Sequence, residues 1–275
     1  MTAAPLDPNP SPLEPESQYN NRAAVPDHPA VMARWKTDAE AARAARPPLA
    51  VTYGDGPREV MDLWEAAPDA PTAVFIHGGY WQALDKSWFS WIAPPLLAHG
   101  VSVAIPSYDL CPEVSLSRIV HQIRTVADQL RERTGARPFV FGHSAGGHLA
   151  ACLLSEGRAS GALAVSGVFD LEPLIPTSLN AALGLDVMTA RALSPIHWPP
   201  PNGGAPGGTA LDCVVGGAET AEFLRQSRAM ADLWASKGVE TRFEALDGLN
   251  HFTVLDPLAD AESQLVTRIA ARMKQ

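Results

Sequence analysis

The sequence predicts an α/β fold with a mostly parallel central sheet and helices on both faces. Short apolar runs of strand length alternate with longer segments in which apolar residues recur at helical spacing. This alternation is typical of a parallel sheet that is covered on both sides. With 275 residues, 46% of them hydrophobic, the chain can bury a full core as one domain spanning residues 1–275.

The N-terminal part predicts elements that precede the main sheet. Residues 1–20 are rich in Pro, Ser and Asn, so we expect an extended tail laid on the surface. Residues 30–45 favour a helix that a pair of prolines ends. The runs 49–53 and 60–64 flank a Gly-rich turn and predict an antiparallel hairpin that leads into the sheet.

The rest of the chain alternates between predicted strands and helices. Buried strands are predicted over the apolar runs 71–77, 101–105, 138–141, 162–165, 211–215 and 241–245. Helices are predicted between 81 and 100, over 116–133, after Ser144, and over 220–236 and 258–273. The irregular segment 169–208 predicts a small cap or pocket wall inserted after a sheet strand.

A candidate nucleophile follows one of the buried strands. Gly142-His-Ser-Ala-Gly146 fits the G-x-S-x-G nucleophile elbow, in which a strained turn between strand and helix exposes the serine. The two glycines are expected where strand and helix approach closely, and Ser144 stands at the apex. An ordinary serine in a Gly-rich turn is the plainer alternative, but the strand before and the helix after favour a nucleophile.

A serine hydroxyl needs a base to take its proton and a carboxylate to orient that base. In this type of site the chain order is Ser, then Asp or Glu, then His. His251, in the loop after the last predicted strand, is the predicted base. Glu219, directly after the strand 211–215, is the predicted acid, and Asp170, Asp186 and Asp247 are left as alternatives.

A second Gly-rich turn follows the strand 71–77. His77-Gly-Gly-Tyr-Trp81 is predicted to supply backbone N–H donors to an oxyanion, with Gly79 and Tyr80 as donors beside Ala145 of the elbow.

Further residues around the two turns are candidates for substrate binding. His77, Gly78, Trp81, His143 and Trp198 are predicted substrate contacts. Bulky Tyr80 and Trp81 should crowd the acyl side and favour a formyl or acetyl group. A flat aromatic leaving group could lie against a wall formed by Trp88, Phe89, Trp91, Phe169, His197 and Trp198.

Composition excludes several classes of function. The net charge of −9 without a Lys/Arg cluster argues against nucleic-acid and membrane partners, and no apolar run reaches membrane-spanning length. The start of the chain has no signal-peptide pattern, and the three cysteines match no zinc motif, so we expect a cytoplasmic protein. No cofactor or metal is predicted. A homodimer is left open.

These motifs together resemble the α/β-hydrolase superfamily. Within it, the chain is similar to the arylformamidase (kynurenine formamidase) group, which carries an HGGxW motif like His77-Gly-Gly-Tyr-Trp81. Tyr108-Asp-Leu-Cys-Pro-Glu113, Glu222-Phe-Leu-Arg-Gln-Ser227, Asn250-His-Phe252 and Tyr19-Asn-Asn-Arg22 also resemble that group. Glu219 stands where the group usually has Asp.

The resemblance implies the α/β-hydrolase fold and a serine hydrolase that cleaves N-formyl-L-kynurenine to kynurenine and formate. A carboxylesterase or amidase for other small acyl compounds is the alternative. A non-catalytic binding protein of the same fold is disfavoured by the complete set of reactive residues.

Overall fold

The computed structural model of the protein describes residues 14–201 and 210–273. Residues 1–13 of the predicted tail and most of the loop that ends the segment 169–208 lie outside the described residues. One eight-stranded sheet forms the centre, with the spatial strand order β1-β2-β4-β3-β5-β6-β7-β8. The strands are β1 (Leu49–Thr52), β2 (Val60–Trp64), β3 (Thr72–Ile76), β4 (Ser102–Pro106), β5 (Phe139–His143), β6 (Gly161–Val165), β7 (Ala210–Gly216) and β8 (Glu240–Leu246).

The direction of the strands confirms the predicted mostly parallel sheet. β1 pairs with β2 in antiparallel fashion, as the predicted hairpin requires, and β2 also pairs with β4 in antiparallel fashion. Every pairing from β4 through β3, β5, β6 and β7 to β8 is parallel. Parallel strands place their carboxyl ends at one edge of the sheet, so the loops after β3, β5, β6, β7 and β8 all emerge at that edge.

Helices cover both faces of the sheet. They are α1 (Pro15–Tyr19), α2 (Asn21–Ala24), α3 (His28–Ala45), α4 (Ala93–Ala98), α5 (Leu116–Thr134), α6 (Ala145–Ser155), α7 (Asn180–Leu183), α8 (Val187–Ala192), α9 (Ala221–Ser236) and α10 (Gln264–Arg272). Apolar side chains of α5, α6 and α9 share one core cluster. Those of α3, α4 and α10 form a second cluster on the opposite face. No helix within the described ranges is long and apolar enough to cross a membrane.

The predicted elements differ from the structure in three places. The predicted extended tail is helical over Pro15–Tyr19, because the proline is at the start of the helix, where it is tolerated, and the tyrosine packs into the core. The predicted helix between 81 and 100 is α-helical only over Ala93–Ala98, and two 3₁₀ turns precede it. Two prolines lie in the first turn of this helix, where they are tolerated, and they would break a longer helix that continued through them. The C-terminal helix begins at Gln264 rather than at residue 258, with the Ser263 side chain accepting from Val266 N.

The turn between β5 and α6 is the tightest close approach in the sheet. A Cβ at Gly146 would lie 1.9 Å from the Ile76 carbonyl oxygen, and a Cβ at Gly142 would lie 2.3 Å from the Gly146 carbonyl oxygen. Both obstacles are backbone atoms, which cannot rotate away. The two glycines therefore let α6 pack against β3 and β5, and this packing fixes where the serine between them stands.

Gly146→Ala should destabilise the fold, because its methyl group would overlap the backbone of β3. We expect a loss of at least about 2–3 kcal/mol in the free energy of unfolding. Gly135→Ala is the matched control, because Gly135 has φ of +73° but open space around a Cβ, and should lose only about 1 kcal/mol. Urea unfolding followed by circular dichroism checks both; equal losses would contradict the close-approach argument.

A buried histidine predicts how stability depends on pH. His148 of α6 is fully buried and contacts the Leu193 carbonyl oxygen through Nε2 at 2.7 Å, and burial lowers its pKa to about 4. Between pH 6.5 and 4 the unfolded chain therefore takes up a proton that the folded chain does not, so stability falls as the pH falls.

We expect this histidine to account for a loss of about 2 kcal/mol of unfolding free energy between pH 7 and pH 5. In His148→Gln, the drop in unfolding free energy from pH 7 to pH 5 should be smaller than in wild type by about 2 kcal/mol. In His121→Gln, the exposed control, the drop should equal that of wild type. Urea unfolding at the two pH values measures it. An unchanged pH dependence in His148→Gln would refute the assignment.

Candidate active site

Ser144 occupies the turn between β5 and α6 in a conformation that L residues rarely adopt. Its φ is 55° and its ψ is −114°, and its backbone N–H donates to the Val165 carbonyl oxygen at 2.8 Å. Ser166, at the end of the neighbouring strand β6, also has a positive φ of 52° and donates its N–H to the Val214 carbonyl oxygen. Strained residues held by a surrounding fold are common at functional sites, and here two of them stand at adjacent strand ends.

His251 and Glu219 form a short hydrogen bond. The distance from His251 Nδ1 to Glu219 Oε2 is 2.6 Å, and the Glu219 side chain is fully buried. Its other oxygen, Oε1, accepts from Ser166 Oγ at 2.5 Å and from Gly216 N at 2.7 Å. The carboxylate therefore has three donors, which compensate for its burial. The structure thus brings Glu219, of the four acids considered, to the imidazole.

The three alternative acids lie elsewhere. Asp186 accepts from Thr189 N and caps α8. Asp247 is exposed in the turn after β8. Asp170 accepts from Glu172 N and lies with Glu172 and His197 outside the cavity described below.

The loops after β7 and β8 are joined by backbone contacts that set this geometry. Gly217 N donates to the Leu246 carbonyl oxygen at 2.7 Å, and Ala218 N donates to the Leu249 carbonyl oxygen at 2.9 Å. A Cβ at Gly216 would lie 2.3 Å from the Leu249 oxygen, so the close approach needs a glycine. The Glu219 side chain curves back so that its carboxylate accepts from Gly216 N. This curved conformation accommodates the methylene that Glu has and Asp lacks.

His143, the residue before Ser144, contacts the backbone carbonyl of the predicted base, His251. Its Nε2 lies 2.8 Å from the His251 carbonyl oxygen, and the two ring centroids are 4.7 Å apart. Burial, together with the neighbouring His251, lowers the pKa of His143 well below its ordinary value. His143 is therefore neutral near pH 7 and donates its Nε2–H to the carbonyl.

The Gly-rich turn after β3 is sharply bent beside Ser144. Gly79, Tyr80 and Trp81 all have positive φ, of 104°, 49° and 56°. A Cβ at Gly78 would lie 3.2 Å from Ser144 Cβ, so this turn packs directly against the elbow. Within residues 14–201 and 210–273, the backbone N–H groups of Gly79, Tyr80 and Ala145 donate no hydrogen bond. These amides are available to an oxyanion.

Ser144 and His251 line the same cavity, which has a volume of about 400 Å³. Gly79, Tyr80 and His143, also predicted site residues, line it as well. Its other walls come from elements that the sequence did not assign to the site: α1, α2, α3 and the segment between β6 and β7. These elements contribute Glu16, Tyr19, Asn20, Asn21, Arg22, Met32, Trp35, Ser178 and Leu179. The loops that carry the predicted site residues add Gln82, Ala83 and Leu84 after β3 and Phe252 after β8.

Several predicted substrate contacts do not line this cavity. Trp81 is fully buried and packs edge-on against His148. His77 is buried between the rings of Phe89 and Tyr108, with ring centroids 6.0 and 4.2 Å away. Trp198 donates its indole N–H to the Ala192 carbonyl oxygen and packs, partly buried, against the core.

The residues of the predicted aromatic wall do not line this cavity either. Phe89, Trp91 and Phe169 belong to the packed core, Trp88 packs against it, and His197 is exposed. Trp35, Phe252 and Tyr19 supply the aromatic surface instead. A sequence signal for Trp35 and Tyr19 exists. Tyr19 is the one aromatic residue of a polar stretch, and Trp35 is the one aromatic residue of the predicted helix 30–45.

The described residues contain one group able to hold a metal ion, formed by Asp170, Glu172 and His197. Glu172 already pairs with Arg191 at 2.8 Å, and none of the three lines the cavity. No residue of the cavity is therefore assigned to a metal.

Comparison with known proteins shows the family of the chain. Residues 73–255 match the model of a family described by the α/β-hydrolase fold. The chain belongs to the α/β-hydrolase family. It is 30% identical over 254 residues to kynurenine formamidase of Danio rerio, covering 86% of each chain. It is also 30% identical to the kynurenine formamidase of Salmo salar, and that alignment covers 94% of this chain and 92% of the relative.

The chain is thus an arylformamidase-like hydrolase, as the resemblance implied. A solved structure from a Silicibacter species, described as a suggested thioesterase, superposes with a TM-score of 0.83 at 33% identity. That comparison covers 94% of this chain and 99% of the other.

The contacts of Glu219 predict a graded loss of activity. Glu219→Gln removes the negative charge beside His251, and we expect kcat to fall by about 10³- to 10⁴-fold. Ser166→Ala removes one of the donors to the same carboxylate, and kcat should fall by about 10-fold. Ser236→Ala, an exposed serine on α9, is the matched control. Steady-state kinetics with thermal melts separate activity from stability; wild-type kcat in Glu219→Gln would exclude the acid role.

Proposed function

We propose that the protein is a serine hydrolase that removes a small acyl group from an aryl amide, most specifically the formyl group of N-formyl-L-kynurenine. The single observation that carries the proposal is the 2.6 Å hydrogen bond between the buried Glu219 side chain and His251, with His251 and Ser144 lining the same cavity. The identity to the kynurenine formamidases over most of the chain supports the substrate.

In the proposed mechanism, His251 Nε2 takes the proton of Ser144 Oγ as the hydroxyl attacks the acyl carbon. Glu219 orients the imidazole through Nδ1 and stabilises its protonated form. The N–H groups of Gly79, Tyr80 and Ala145 bind the oxyanion of the tetrahedral intermediate. His251 then gives its proton to the leaving amine nitrogen, and a water molecule, deprotonated by the same imidazole, releases formate from Ser144.

The residues around the acyl side support a small acyl group. The Tyr80 ring lines the cavity, and its hydroxyl donates to the Tyr19 carbonyl oxygen at 2.7 Å and accepts from Asn21 Nδ2 at 3.3 Å. A ring held at its far end cannot swing away to admit a longer chain. Of the two residues predicted to crowd the acyl side, Tyr80 lines the cavity and Trp81 does not, so we assign the crowding to Tyr80 alone. Trp35 and Phe252 offer flat surface to an aromatic leaving group.

A second candidate function is hydrolysis of small acyl esters or thioesters by the same residues in the same roles. The suggested thioesterase from Silicibacter, at 33% identity, is the observation that favours it. A cytoplasmic location is part of our proposal, and the buried thiols of Cys111, Cys152 and Cys213 are compatible with it.

Substrate kinetics test the proposed function. We expect kcat/KM to be highest for N-formyl-L-kynurenine and to fall by about 10-fold or more for each added acyl carbon, from formyl to acetyl to propionyl. Nitrophenyl acetate and acetyl thioesters are assayed in parallel, with Ser144→Ala as the inactive control. Ester or thioester hydrolysis without aryl formamide hydrolysis would replace the first candidate by the second, and flat chain-length dependence would remove the small-acyl assignment.

A further inference from the structure

The cavity mouth carries an arginine that makes no ion pair. Arg22 lines the cavity and is exposed, and no carboxylate within residues 14–201 and 210–273 lies within 4.0 Å of its guanidinium. It is the one Lys or Arg among the described residues that line this cavity. Nothing in the proposed mechanism uses it, so its position needs a separate explanation.

The backbone that carries Arg22 is held in place by other contacts. We call residues 14–25, which contain α1 and α2, the N-terminal strap. The Tyr19 hydroxyl of the strap donates to Glu222 Oε2 at 3.0 Å and accepts from Gln226 Nε2 at 2.7 Å. Asn20 accepts from Ala23 N through its side chain at 3.1 Å. The strap is therefore fixed without help from the guanidinium, which is left available to a ligand.

An acidic side chain of the strap lines the same cavity. Glu16 accepts from Ser178 N at 2.7 Å and from Ser178 Oγ at 2.8 Å, and these two donors lower the pKa of its carboxyl. Glu16 is therefore ionised at neutral pH and is held at a defined place. A carboxylate has about four acceptor positions, so two donors from Ser178 leave capacity for a cation.

We propose that Arg22 and Glu16 bind the two charges of an α-amino acid group on the leaving group of the substrate. Arg22 takes the carboxylate through its planar fork of N–H donors, and Glu16 takes the ammonium. Aromatic walls deeper in the cavity hold the ring between this group and Ser144. This inference rests on the proposed function, which it deepens by assigning residues that determine specificity.

The two charges of the α-amino acid group are adjacent and opposite, so each needs its own partner at the mouth. Arg22 would act on the carboxylate at contact distance, where attraction is stronger than the screened average field of a protein with a formal net charge of −9. A neutral aryl formamide needs neither partner, so Arg22 should separate substrates that carry the amino acid group from those that lack it.

Binding of two amines tests the proposal without any chemical step. L-kynurenine carries an aromatic amine, a ketone and the α-amino acid group, whereas 2-aminoacetophenone has the same ring and ketone and lacks the amino acid group. Isothermal titration gives the dissociation constant of each for the wild-type protein, Arg22→Ala, Arg22→Lys and Glu16→Gln. Arg131→Ala, an exposed arginine of α5, is the matched control.

We expect the wild-type protein to prefer L-kynurenine, and the preference ratio to fall by about 10- to 100-fold in Arg22→Ala. Glu16→Gln should lower the same ratio, Arg22→Lys should restore part of it, and Arg131→Ala should leave it unchanged. An equal preference in wild type and Arg22→Ala, or no preference in wild type, would overturn the proposal.

The outcome is independent of the proposed reaction. A protein that hydrolyses aryl formamides but binds both amines alike keeps the proposed function and loses this inference. A protein whose preference for L-kynurenine depends on Arg22 but which hydrolyses no formamide keeps the inference and loses the reaction.

Discussion

The hydrogen bond between Glu219 and His251 is the contact on which the candidate site depends. A fully buried carboxylate is costly unless donors surround it, and Glu219 receives donors from His251, Ser166 and Gly216. This arrangement fixes the acid at one place and leaves the opposite nitrogen of the imidazole for the cavity. The two strained serines after β5 and β6 are both tied to neighbouring strands, so the same network defines the position of the hydroxyl.

The parallel sheet explains how residues distant in sequence meet. The loops after β5, β6, β7 and β8 emerge side by side at the carboxyl edge, carrying in turn Ser144, Ser166, Glu219 and His251. The loop after β3 adds the Gly-rich turn, because β3 pairs directly with β5. The sheet thus places the candidate catalytic residues on neighbouring strand ends, whereas residues of the N-terminal strap and α3 line the other side of the cavity.

Patterns local in sequence predicted the sheet well, since apolar runs located all the parallel strands. Chain order and a position directly after a strand favoured Glu219 and His251, with three aspartates left as alternatives, and the structure brings these two residues into hydrogen-bond contact. The helix start at Gln264 was missed because Pro257 and the capping by Ser263 outweigh apolar spacing in that stretch. Ser166 was missed because a single serine after a strand carries no motif, and its role depends on contact with a loop 53 residues away.

The cavity walls could not be predicted for a related reason. Trp81 and Phe89 are aromatic and near the Gly-rich turn in sequence, but the side chains of both are buried in the core after the bend at Gly79 and Tyr80. Tyr19 and Trp35 are distant in sequence and reach the site only because α1 to α3 pack over the sheet edge. Tertiary packing decides whether an aromatic side chain faces the cavity or the core, and the local sequence pattern does not predict this.

Covalent labelling of the serine tests the central claim most directly. The protein is treated with a fluorophosphonate, and the adduct is located by mass spectrometry of its peptides. The account predicts one adduct, on Ser144, that is absent in Ser144→Ala and forms far more slowly in His251→Ala. A protein that hydrolyses substrate yet gains no adduct, or one labelled at another residue while Ser144→Ala stays active, would contradict it.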